Sequence, residues 1–168
     1  MIDRRTALAM ILSTPALSAC ADAAKRPVAR PDQKEPPLFP NETPELRKKI
    51  NYWADHYEVP RALVHRLAVR ESTHRPWAVN RPYYGLLQIL PATARSMGFQ
   101  GKPKDLLDAD VNLKYAVKYL RGAWLLSDGS YNTAVMHYAR GYYYVARDRC
   151  MLVETGLRER EVRRDCRG

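Results

Sequence analysis

The sequence predicts an all-α domain. Three observations carry that expectation: apolar residues recur at helical spacing after Thr43, proline and glycine mark where those stretches begin and end, and no segment alternates with period two for long. At 168 residues and 19.3 kDa the chain suits one domain of modest core with appended segments. Its 46% hydrophobic and 27% charged content is that of a globular protein. No apolar run reaches the ~20 residues of a membrane-spanning helix. Eight glycines and three cysteines exclude a collagen-like repeat and a densely bridged mini-protein. Six of the twelve prolines fall between Pro27 and Pro44, so the globular part is shorter than the chain.

Residues 1–19 read as an export signal: Arg4 and Arg5 open a short apolar stretch from Ala7 to Leu17, followed by small residues. Leu17-Ser18-Ala19-Cys20 resembles a bacterial lipobox, which makes Cys20 the expected lipidation site. Residues 20–42 then form a lipidated cysteine and a Pro-rich spacer of extended character. The formal charge of +10, with a pI near 9.7, points to an anionic partner. Cleavage before Cys20 removes two arginines and one aspartate, leaving +9. Export argues against nucleic acid as that anion and favours cell-wall polymer or a membrane surface.

The domain is expected over 43–148. Thr43-Pro44 reads as an N-cap with proline at the first helical position, opening a helix towards Tyr57. Pro60 opens a second, with Val64, Leu67, Ala68 and Glu71 on one face. Pro91 starts a short third helix that Gly98 ends. Leu113, Ala116, Val117, Leu120 and Trp124 stripe a longer helix that stops at Asp128-Gly129. A further helix is expected from about Asn132 through Tyr144, and a charged helix or tail over 149–168, near Arg158. Arg81 to Ile89 has room for a short extended piece. Cys150 and Cys166 form an even pair in an oxidising compartment, and a disulfide is the natural reading.

Glu71 is the unusual residue: it ends an apolar stripe, where an ionised carboxylate is costly and a raised pKa suits a general acid. A partly exposed glutamate paired with Arg70 or Arg75 is the plain alternative. Three later pieces bear on the choice: Gly85-Leu86-Leu87-Gln88 followed by Pro91-Ala92-Thr93-Ala94, then Asn112-Leu113 with Tyr119-Leu120, then Ala134 to Gly141. Together with Glu71-Ser72, their order resembles the soluble lytic transglycosylase domain, related to goose-type lysozyme (glycoside hydrolase family 23), over roughly residues 45–145.

That resemblance implies a lysozyme-like helical fold with a substrate cleft, and peptidoglycan glycan strands as substrate. Glu71 would be the catalytic acid and Ser72 its neighbour at the lactyl-sugar subsite. Gln88 would line the groove beside Gly85, whose missing side chain lets sugar approach the backbone, and Tyr138 would reach towards the catalytic carboxyl. Where the family has Asn after that tyrosine, this chain has Ala139. The resemblance implies no cofactor and no metal, and it makes one carboxylate sufficient. Asp105 and Asp110 are available for a second role, whereas Asp108 precedes a helix and reads as a cap.

Tyr83 and Tyr84 both offer faces for stacking on sugar, with Tyr84 favoured for the groove and Trp77 behind it, while Trp53 and Trp124 read as core. Of Tyr142, Tyr143 and Tyr144, at most two line a groove. His56, His65, His74 and His137 show no metal spacing, and His74 reads as a surface residue. The expected protein is a monomer, held at a membrane by its lipid and placed in the periplasm at the outer membrane. An envelope-spanning complex is a candidate partner. A muramidase-type hydrolase and a non-catalytic glycan-binding lipoprotein are the competing functions.

Overall fold

The computed structural model describes residues 36–166. The export signal, Cys20 and the spacer as far as residue 35 lie outside the described residues.

Six α-helices follow one another: α1 (Pro44–His56), α2 (Arg61–Ser72), α3 (Pro91–Ser96), α4 (Ala109–Leu125), α5 (Tyr131–Arg140) and α6 (Tyr143–Asp148). Between α2 and α3 lies a small antiparallel hairpin, β1 (Val79–Asn80) with β2 (Tyr83–Tyr84); β2 falls in the segment expected to be extended, and β1 lies just before it. Polar side chains and prolines set the helix starts. Thr43 caps α1 by accepting from the Leu46 amide at 3.1 Å, with Pro44 behind it. Asp108 caps α4 by accepting from Val111, and Ser130 caps α5 by accepting from Thr133. Asp108 is thus the cap that the sequence indicated.

Helix α4 is the axis of the core. Leu113, Ala116, Val117, Leu120 and Ala123 are fully buried along one side, meeting α1, α3 and α5. Each fully buried aliphatic side chain contributes roughly 1.5–3 kcal/mol relative to exposure, so this stripe holds the helices around the longest one. Trp53 and Trp124 pack against the core while half-exposed.

Two expectations about helices are corrected. The helix from Asn132 through Tyr144 is two helices, because Gly141 has φ of 82° and ends α5. The break lets Tyr142 turn inward, where it is 1% exposed and donates to the Tyr119 carbonyl at 2.8 Å. No α-helix forms near Arg158: residues 149–163 are turns and coil, followed by a single 3₁₀ turn at Arg164–Cys166. Leu152 and Thr155 fasten this segment to the core, and Cys150 is disulfide-bonded to Cys166 with Cα atoms 5.3 Å apart.

Candidate active site

Helix α2 places the central residue. Leu63, Val64, Leu67 and Ala68 are wholly buried, and Glu71 is the next position on that face, where the helix leaves the core. Its side chain keeps 21% exposure. Thr73 and His74 then take left-handed conformations, with φ of 52° and 57°, and turn the chain towards the hairpin. Ser72 is buried, donating to the Leu86 carbonyl at 2.7 Å and accepting from the Arg75 amide at 3.1 Å. Ser72, expected beside Glu71 at the lactyl-sugar subsite, uses its hydroxyl to tie the end of α2 to the loop 85–88.

That loop is held from below by Asn112 of α4. Its carboxamide accepts from the Leu87 amide at 2.9 Å and donates to the carbonyls of Tyr84 and Leu106 at 3.0 and 2.9 Å. Gly85, with φ of 75°, explains the closeness. A Cβ there would lie 2.1 Å from the Leu106 oxygen and 2.3 Å from the Asn112 amide nitrogen. The approach of Asn112 and Leu106 is by itself enough to require the glycine. Gln88 donates both amide hydrogens, to Ala78 and Gly85 carbonyls at 3.1 and 2.8 Å, and so offers a ligand its side-chain oxygen. Tyr84 packs on the core, while Tyr83 is 40% exposed and lines the cleft. The favoured aromatic was one residue off, since neighbouring strand residues face opposite sides.

These elements enclose a cleft of about 540 Å³ bounded by Glu71, Asn80, Tyr83, Gln88, Leu90, Thr93, Tyr119, Tyr138 and the run Ala139 to Gly141, with Arg70 at its edge. Burial raises the Glu71 carboxyl above its ordinary value, and the Arg70 guanidinium pulls the other way. Burial wins because Arg70 is about half exposed and its Nε is 3.4 Å from Oε1, a long and solvent-screened contact. Opposite, the buried Tyr138 donates to the Leu87 carbonyl at 2.9 Å. Burial, and then the charge of Glu71, hold that phenol protonated far above neutrality. Its one proton is committed, so towards Glu71 the phenol can only accept a hydrogen bond, which favours the protonated acid.

A model of the transglycosylase SLT domain matches residues 48–149, more than half of the chain. The chain belongs to the SLT domain family. The match begins inside α1 and ends just after α6, so it contains every residue of the cleft. At the level of the family, this domain implies transglycosylase activity on peptidoglycan. No curated protein and no solved structure matches the chain.

In this SLT domain Asn80 and Leu90 reach the cleft with no motif or pattern to announce them. Thr93, Tyr119 and Arg140 stand within family motifs, and Tyr83 is one of the aromatic residues beside Gly85 with a face to offer a sugar. Trp77 is 65% exposed, but it does not bound the cleft. Tyr142 is core, Tyr143 packs on the core half-buried, and Tyr144 is 68% exposed. Asp105 caps the 3₁₀ turn Pro103–Leu107 through the Lys102 amide. Asp110 pairs with Lys49 and accepts from Trp53. Neither aspartate reaches the cleft.

The histidines give a further correction. His74 is fully buried rather than a surface residue, and with Glu42 and His65 it forms a group whose ligand atoms lie within 4.8 Å of one another. Sequence spacing missed this group because its members come from the segment before α1, from α2 and from the turn after it. Most of its polar atoms already have internal partners, the buried His74 Nδ1 being without one among the described residues. Arg47 forks the Glu42 carboxylate at 3.0 and 2.6 Å, His65 Nδ1 is 3.2 Å from His74 Nε2, and His65 Nε2 is 3.2 Å from Asn51 Oδ1. Phe39 stacks on His74 at 4.9 Å. With the one carboxylate neutralised by Arg47, a dication would add uncompensated charge to a buried place, so the group suits a latch better than a metal centre.

Proposed function

We propose that this chain is a lytic transglycosylase that cleaves the β-1,4 bond between N-acetylmuramic acid and N-acetylglucosamine and leaves a 1,6-anhydro end. The observation that carries the reading is that Glu71, desolvated and biased towards its protonated form, is the single carboxyl group among the described residues bounding the cleft. Glycoside hydrolysis ordinarily takes two carboxyl groups flanking the bond. A lone one suits a reaction in which the substrate supplies its own nucleophile.

Protonated Glu71 gives its proton to the glycosidic oxygen, and the bond to C1 breaks as an oxocarbenium-like state develops. The Glu71 carboxylate then takes the proton of the C6 hydroxyl on the same sugar. The C6 oxygen closes on C1, the N-acetylglucosamine leaves with a free 4-hydroxyl, and Glu71 is protonated again. The Gln88 oxygen and Tyr83 would position the sugars. The protein would act from the periplasm, tethered through lipidated Cys20 at the outer membrane, a placement supported by the lipobox-like sequence and the Pro-rich spacer.

The test is mass spectrometry of soluble products from purified peptidoglycan, comparing the chain from Pro36 onward with its Glu71→Gln form. Anhydro-muropeptides from the first and none from the second are expected. Reducing ends would instead identify a muramidase-type hydrolase. The Arg70–Glu71 contact favours a second reading, a non-catalytic glycan-binding lipoprotein, and that reading predicts binding to peptidoglycan with no release by either form.

A further inference from the structure

Beside the cleft, between α2 and α5, lies a second recess of about 310 Å³. Arg66, Arg70 and Arg140 border it, its apolar lining comes from Val135, Met136 and Ala139, and no carboxylate bounds it. Arg70, Ala139 and Arg140 also bound the cleft, so the two recesses are neighbours with those residues as their common border. Arg66 and Arg70 stand one turn apart on α2, about 6 Å along its axis. Arg66 donates to Asn132 of α5 at 2.5 Å, which spans the two helices, and Arg140 makes no ion pair among the described residues. At that border, between Arg70 and Arg140, Ala139 presents a methyl where an asparagine would put a carboxamide.

We propose that this recess receives the carboxylate-bearing peptide attached to the lactyl group of the muramic acid held at Glu71, so that the protein selects peptide-bearing over naked glycan. This rests on the reading of the cleft as the site of transglycosylation. The chemistry of the substrate sets the direction. The lactyl ether is on C3 of the same ring whose C1 is cleaved, so the peptide must leave the ring within a few ångströms of the reacting bond. Arg70, next in sequence to Glu71, borders both the cleft and the recess. Guanidinium groups pair with carboxylates in a two-pronged geometry that an ammonium lacks, and the apolar lining suits the methyl groups of a short peptide.

The test compares kcat/KM for anhydro-end release from intact peptidoglycan and from the same glycan stripped of peptide by an amidase, using the full domain and its Arg66→Ala, Arg66→Lys and Asn132→Ala forms. The expected result is a preference for intact peptidoglycan in the parent. Arg66→Ala should reduce that preference about ten-fold, equivalent to one charge-assisted hydrogen bond. Arg66→Lys should restore part of it, and Asn132→Ala, which breaks the same interhelical bond but keeps the guanidinium, should retain it. Equal rates on both substrates, unchanged in every form, would overturn the proposal. Should neither substrate yield anhydro ends, the reading of the cleft fails on its own, and the recess is decided by calorimetry. Tighter binding of a soluble muropeptide with free carboxylates than of its amidated form supports the recess, and equal binding overturns it.

Discussion

Glu42 and Glu71 are both shielded from water and both sit beside an arginine, yet they end on opposite sides of the ordinary carboxylate range. At Glu42 burial pushes upward, but the forked hydrogen bonds from Arg47, the Phe39 amide and nearby charge outweigh it and hold the carboxyl low. At Glu71 burial is opposed by a single half-exposed arginine at 3.4 Å and prevails. The arginine's presence does not decide the outcome. Its geometry does: two short bonds inside the protein fix a charge, while one long contact at the rim leaves a proton available.

The largest effect expected from this contrast is at Glu71. Glu71→Gln should lower anhydro-end release by about 10³-fold, within the span for loss of a general acid–base, while circular dichroism shows an unchanged fold. At the other glutamate the loss should appear in stability. Arg47→Ala strands a buried carboxylate and should cost about 3 kcal/mol, lowering Tm by roughly 10 °C. Replacing Glu42 and Arg47 together by Leu and Met should recover most of that loss, because neither charge is left unpaired.

The latch should also respond to pH. Burial pushes His65 down to about 4, with Glu42 pulling the other way and His74 and Arg47 adding to the push. A histidine depressed in the folded state binds its proton first in the unfolded chain. Stability is therefore complete above about pH 6.5 and falls towards pH 4. Thermal melts across that window should show the decline, and replacing His65 with Asn should flatten it.

How much of this was legible follows from the kind of signal each residue carries. Glu71, Gln88, Tyr138 and the cap at Asp108 stand in local patterns, a stripe end or a motif, and the structure places the first three around one cleft. Helix starts were legible because proline and capping hydroxyls act within three residues. Gly141 was quoted in a motif, but its left-handed conformation, which divides α5 from α6, depends on Tyr142 finding a place beside Tyr119. Ser72 and Gly85 stand in motifs, but the partners that hold them, Leu86 and Asn112, are 14 and 27 positions away and no local pattern names them. The Glu42–His65–His74 latch is non-local in the same way, so spacing had no hold on it.

Two smaller effects sharpen the comparison. Tyr138→Phe leaves the Leu87 carbonyl without its donor, and should cost about 1–3 kcal/mol in stability with a loss of activity near ten-fold. Glu71→Gln should raise Tm by a few degrees at pH 7. A carboxyl raised in the folded state costs stability only when ionised, so the advantage should vanish below pH 4, where parent and variant are both neutral. A variant no more stable than its parent at pH 7 would mean that Arg70 compensates Glu71 as fully as Arg47 compensates Glu42.

The carboxamide of Asn112 carries a consequence in time rather than in energy. The Leu87 amide belongs to no helix or strand, and loop amides ordinarily exchange their hydrogens with solvent quickly. Here that hydrogen is given to a buried side-chain oxygen on the longest helix, under a residue of 0% exposure. It should be released to deuterium only when α4 itself opens. The loop that presents Gln88 and receives the Tyr138 hydroxyl would then keep the clock of the core.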